Sequence, residues 1–168
     1  SGLVQGQEDQ SGLAPGTYQL ILSDSCTTIQ RIFTILSPDL LEVQLDSKTD
    51  ILCYGESTGE ILITVVGGTQ PYDYVWVDEF GNTYDRNVGN VFNNGDLTNI
   101  PAGKYTLQVT DANQCVTTFE VTLDEPDEII VDVEKSNLSC YDANDGTIDL
   151  SVTGGVAPYT YSWSDLGN

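Results

Sequence analysis

The chain has no histidine. That absence removes the commonest general acid–base side chain and the usual serine and cysteine triads built around it. Spaced Cys/His zinc motifs and phosphate-binding glycine motifs are missing as well. Basic residues are nearly as scarce, with 5 Lys and Arg against 26 Asp and Glu, a formal net charge of −21 and a pI near 4.1. A surface of that sign repels phosphate backbones and anionic lipid, so direct nucleic-acid binding and attachment to a lipid surface are disfavoured. No run of 18 apolar residues occurs, which argues against direct membrane insertion, and residues 1–30 lack a charged-then-apolar signal pattern. Any targeting or anchoring segment is therefore expected outside these residues. Acid pairs are abundant, but abundance makes any chosen pair unspecific, and no cleft-forming insertion accompanies them. No catalytic residue is assigned, no cofactor is required, and an enzyme is not expected.

What is present points to strands. The 168 residues are 39% hydrophobic, with 16 Gly, 6 Pro and β-branched residues throughout, and lack the Ala, Lys and Glu richness of helical proteins. The acids are scattered singly through strand-like sequence, as on a solvated, aggregation-resistant surface. The sequence also repeats itself. Cys53-Tyr54, Gly59 to Ile61, Val65, Gly67-Gly68, Pro71-Tyr72, Tyr74 and Trp76 recur as Cys140-Tyr141, Gly146 to Ile148, Val152, Gly154-Gly155, Pro158-Tyr159, Tyr161 and Trp163. Pro15-Gly16-Thr17-Tyr18 and Cys26 recur as Ala102-Gly103-Lys104-Tyr105 and Cys115, with two residues inserted before the second cysteine. A spacing of about 87 residues is the size of one small β-sandwich, too long for a solenoid unit. The fold class read from this is all-β, in tandem immunoglobulin-like β-sandwich repeats. Residues 1–41 form the C-terminal part of one repeat, 42–128 a complete repeat, and 129–168 the N-terminal part of a further one.

Within the complete repeat, Ile61, Ile63 and Val65 alternate with Leu62, Thr64 and Val66, apolar enough for the middle of a sheet. Gly67-Gly68 turns the chain into a strand whose Tyr72, Tyr74 and Trp76 share one face, where such sandwiches bury an aromatic against the opposite sheet. Tyr18 and Tyr105 stand at the corner leading into the sixth strand, where a tyrosine hydroxyl bonds back to upstream backbone. The Asn- and Gly-rich insert between Asp78 and Asp96 reads as a long loop or short edge strands. Ser37-Pro38-Asp39 and Glu125-Pro126-Asp127 mark short junctions, so neighbouring repeats are expected to stack end to end as a semi-rigid rod.

The order of a cysteine and Gly-rich turn, a strand, Gly-Gly-x-x-Pro-Tyr-x-Tyr-x-Trp, then Gly-x-Tyr-x-Leu-x-Val-x-Asp and a second cysteine resembles the SprB-type repeat of large surface adhesins of gliding Bacteroidetes. The resemblance extends along the chain and is sharpest over residues 154–164. Gln114 stands where that family usually has Gly, and Ser25 replaces three residues of the later copy. The resemblance implies an extracellular, cell-surface location, export by the type IX secretion machinery, and a role in adhesion or gliding motility.

Three sets of candidate residues follow. Cys26, Cys53, Cys115 and Cys140 suit disulfides in an exported chain. In a simple sandwich Cys53 and Cys115 fall at opposite ends, so the readings left open are an intradomain bridge in a non-standard strand order, bridges across junctions to adjacent repeats, and reduced, packed thiols. Asp142, Asn144 and Asp145 offer calcium-type oxygens in a spacing unlike an EF-hand, and a turn using their backbone preferences accounts for them better. Junction acids Asp124, Glu125, Asp127 and Glu128 are a second calcium candidate. The aromatics ending in Trp76 and Trp163 are either core or a sugar-stacking platform, and strict alternation favours core. The function expected is a repeat segment of a surface adhesin fibre, partnered by neighbouring repeats of its own chain and by surface polysaccharide or other cells. The alternative is a spacer or carbohydrate-binding accessory module of a secreted enzyme. A calcium-rigidified linker is compatible with either. Pairing of residues 1–41 with 129–168, within or between molecules, is expected to cover their exposed edges.

Overall fold

A computed structural model describes residues 6–84 and 94–165, and every described element is a strand. The strands are β1 (Gly16–Ser23), β2 (Thr28–Ile35), β3 (Glu42–Thr49), β4 (Gly59–Val66), β5 (Asp73–Asp78), β6 (Thr83–Tyr84), β7 (Leu97–Ile100), β8 (Gly103–Thr110), β9 (Val116–Leu123), β10 (Ile130–Ser136) and β11 (Thr147–Thr153). The central seven make two antiparallel sheets in the orders β3-β4-β7 and β6-β5-β8-β9. Part of the insert between Asp78 and Asp96 is the short edge strand β6; its residues 85–93 lie outside the described residues.

Period-two patterning builds this sandwich. β4 turns Gly59, Ile61 and Ile63 inward, β5 turns Tyr74 and Trp76, and β8 turns Tyr105, Leu107 and Val109. Apart from Gly59, these join Leu41, Ile51, Leu97, Ile100 and Leu123 in one buried cluster. Burying each large apolar side chain contributes about 1.5–3 kcal/mol, so the cluster sets the sandwich apart as a unit with its own core. Trp76, wholly buried, donates its indole N–H to the Gly95 carbonyl at 2.8 Å. A Cβ on Gly95 would lie 2.5 Å from the Tyr74 ring, and its φ of +92° suits glycine.

The flanking strands form two separate hairpins, β1-β2 and β10-β11, which do not pair with each other among the described residues. Their faces repeat those of the sandwich but stay open: Leu20 is 45% exposed and Ile148 58%, whereas their counterparts Leu107 and Ile61 are fully buried. Residues 158–163, the counterpart of the β5 region, are not a strand, and Trp163 is 63% exposed. The physical reason is the missing partner: β5 is held by β8, and no second copy of β8 follows β11 among the described residues.

The register reveals a one-residue difference between copies. In β3 the pairing steps from Leu45↔Ile63 to Ser47↔Leu62, a bulge at Asp46, while β10 pairs with β11 without interruption. Asp46 is thus an extra residue, and its carboxylate accepts a hydrogen bond from Thr64 at 2.8 Å.

Candidate functional site

The two poles of the sandwich carry the chemistry that the repeat motif specifies. At the upstream pole, Gly67 and Gly68 adopt φ of +68° and +58° and fold over the incoming chain. The Gly68 N–H donates to the Asp39 carbonyl at 2.9 Å, and a Cβ on Gly67 would lie 1.9 Å from the Leu40 carbonyl oxygen. Tyr72 locks the turn by donating its hydroxyl to the Gly67 carbonyl at 2.5 Å. The next copy repeats the device: Gly155 N–H donates to Asp127 at 2.8 Å, a Cβ on Gly154 would strike the Glu128 carbonyl, and the Tyr159 hydroxyl bonds the Gly154 carbonyl. The Gly-Gly-x-x-Pro-Tyr motif is therefore a clamp on the preceding linker.

Asp111 completes the upstream pole. Only 2% exposed, its carboxylate accepts backbone N–H bonds from Thr69 at 2.9 Å and from Asn113 and Cys115 at 2.9 and 2.8 Å. Burial opposes its ionisation, but these donors outweigh burial and hold the carboxyl below its ordinary range. They also tie the β8-β9 turn, with Cys115, to the glycine turn. In β1-β2, Asp24 accepts from the N–H groups of Cys26 and Thr27 at 2.8 and 2.5 Å, and those backbone bonds lower its carboxyl too.

At the opposite end of β4, the β3-β4 loop grips the outgoing chain. Ile51 N–H donates to the Asp124 carbonyl at 2.9 Å, Asp124 N–H to the Asp50 carboxylate at 3.0 Å, and Gly55 N–H to Glu125 at 2.7 Å. Lys48 adds bonds of 2.9 Å to Asp50 and to the Thr122 carbonyl. The Asp124 backbone bond, then Lys48, lowers the Asp50 carboxyl. Glu125 is thereby engaged as a linker contact. Beyond it, a cavity of about 460 Å³ is lined by Tyr54, Glu125, Asp127, Ile130, Thr153 and Gly154. Tyr54, next to Cys53, thus shares a cavity with the glycine turn of the following copy.

The other sequence candidates fall as follows. Tyr105 donates its hydroxyl to the Pro101 carbonyl at 2.8 Å and Tyr18 to Ala14 at 2.5 Å, the same contact in both copies. Tyr74 and Trp76 are buried, so they offer no stacking face to a sugar. All four cysteines are free and exposed, which corrects the packed-thiol reading: they sit on turns outside the core. Cys53 lies in the loop bonded to Asp124 and Glu125, and Cys115 in the turn tied to Thr69 at the other pole, so the two do not face each other within the sandwich. Asp145 accepts the Ser139 N–H at 3.0 Å, its carboxyl lowered by Ser139, and Asp142 adopts φ of +59°. Asp142, Asn144 and Asp145 thus belong to a turn, and no three His, Cys, Asp or Glu side chains converge as a metal site among the described residues. Sequence reasoning missed Gly95 and Asp96. The latter accepts the Ile63 N–H at 2.9 Å beside a groove of about 560 Å³; its signal was the Asn-Gly-Asp turn preceding Leu97. The groove carboxylates of Asp46 and Asp96 are both occupied in holding β4.

Residues 45–79 and 133–168 each match the family model of the SprB repeat. Two segments of the chain are thus similar to the SprB repeat. The matched segments contain the β3-β4 loop, the glycine clamp and the aromatic residues that follow it, or their counterparts. SprB repeats are structural repeats that occur in cell-surface proteins. Searches among curated proteins and among solved structures returned no match.

Proposed function

We propose that this segment is a tension-carrying stretch of a secreted surface fibre that attaches cells to a substratum, to other cells or to polysaccharide, in attachment or gliding. The observation that carries this reading is the clamp of Gly67-Gly68 on Asp39 and Leu40 at one pole, set against the grip of Ile51 and Gly55 on Asp124 and Glu125 at the other. A β4 of 8 residues separates the poles, about 26 Å at 3.3 Å per residue. Chain enters at one end and leaves at the other, as a tensile module requires. The expected location is outside the cell, reached through the type IX route that the family resemblance implies. The test is attachment and gliding of producing cells in the presence of Fab fragments raised against residues 42–128. Loss of attachment or gliding supports the reading; full Fab occupancy with neither affected contradicts it.

A further inference from the structure

We infer that successive repeats are joined by a disulfide across each junction, between the cysteine of the β3-β4 loop of one repeat and the cysteine of the β8-β9 turn of the next. Cys53 and Cys140 occupy the first position in their copies; Cys26 and Cys115 occupy the second. Two independent placements support the pairing. Cys115 is fixed at the upstream pole, because Asp111 binds its N–H together with that of Thr69, and Ala112 N–H donates to the Thr69 carbonyl at 2.9 Å. Cys53 is fixed at the downstream pole, because its loop is bonded to Asp124 and Glu125. Across the junction, Tyr54 shares a cavity with Thr153 and Gly154, which are the following copy's upstream pole. The β8-β9 turn of that following copy therefore belongs beside Cys53, as Cys115 belongs beside Gly68 and Thr69.

On this pairing no two of the four cysteines are partners of each other. Cys53 requires the β8-β9 turn of the repeat beginning near Ile129, and Cys115 requires the β3-β4 loop of the repeat ending near Asp39. Neither partner is among these residues, and the same holds for Cys26 and Cys140. Formation of the bridge joins two sulfurs, releases two protons and passes two electrons to a protein disulfide oxidant through thiol–disulfide exchange.

The test duplicates residues 41–128 in tandem within the full chain, which leaves both native linkers intact. The product has six cysteines, the four of the chain plus the two duplicated. After equilibration with oxidised glutathione and a disulfide isomerase, peptide mapping of the monomer is expected to find one bridge, from Cys53 of the first copy to Cys115 of the second. Four thiols should remain. Cys53→Ser in the first copy should abolish the bridge and leave circular dichroism unchanged. Six free thiols in the folded monomer, or a bridge within one copy, would overturn the inference.

Discussion

Tyr105 and Asp111 stand at the two ends of β8, and each satisfies backbone groups that no strand reaches. For Tyr105→Phe, the loss of the bond to Pro101 should lower stability by about 0.5–1.5 kcal/mol in urea titrations. Asp111 makes a pH-dependent prediction. Its folded carboxyl titrates below the ordinary value of 3.8, so the unfolded state takes up the proton first. The stabilisation is then complete above the unfolded value and disappears as pH falls through the folded one. Asp111→Asn should melt well below wild type at pH 7, with the gap closing below about pH 4; an equal gap at pH 3 would contradict the assignment. Asp24, Asp50 and Asp145 are lowered as well, so the difference between the two proteins is the informative quantity. The tyrosine corner was legible because its Pro-Gly-Thr-Tyr and Ala-Gly-Lys-Tyr segments occur twice in register. The bond from Trp76 to Gly95 was not, because a glycine carbonyl 19 residues along the chain leaves no trace in periodicity.

Among elements, the glycine turn is the least replaceable. Gly67→Ala combines positive φ with a Cβ 1.9 Å from Leu40 backbone, and should cost about 1–3 kcal/mol from strain alone, with the clash added. Gly81→Ala, at φ of +85° with nothing within 4 Å, carries the strain without the clash and should melt higher than Gly67→Ala. Equal melting temperatures would remove the clamp from the account. The bulge gives the converse prediction. Because β10 lacks the extra residue, deleting Asp46 should preserve both flanking pairings and lose only its bond to Thr64, about 0.5–1.5 kcal/mol. Strand alternation and the copied motifs announced β4, β5 and β8. The bulge stayed hidden because the constant spacing of 87 begins only after it, at Cys53.

At the scale of the whole molecule, three rows of apolar side chains tell one story. The sandwich buries Ile61 and Leu107, while the same register positions in the hairpins, Ile148 and Leu20, remain open. The hairpins leave open the faces that the sandwich covers, at positions the repeat spacing puts in correspondence. What the spacing could not show was how copies connect, since the linker is gripped through backbone groups of Asp39, Leu40 and Asp124 together with the Asp50 and Glu125 carboxylates, none of which periodicity marks. With the junction held by these bonds and Glu125 engaged by Gly55, chelation of calcium should leave the melting temperature unchanged in differential scanning calorimetry. A marked fall would reassign the junction acids to metal binding. The central proposal, that this repeat region is displayed on the cell surface, is tested most directly by labelling intact, unpermeabilised producing cells with antibody to residues 42–128. The account predicts labelling before lysis and its loss after mild external proteolysis; labelling that appears only after lysis would contradict it.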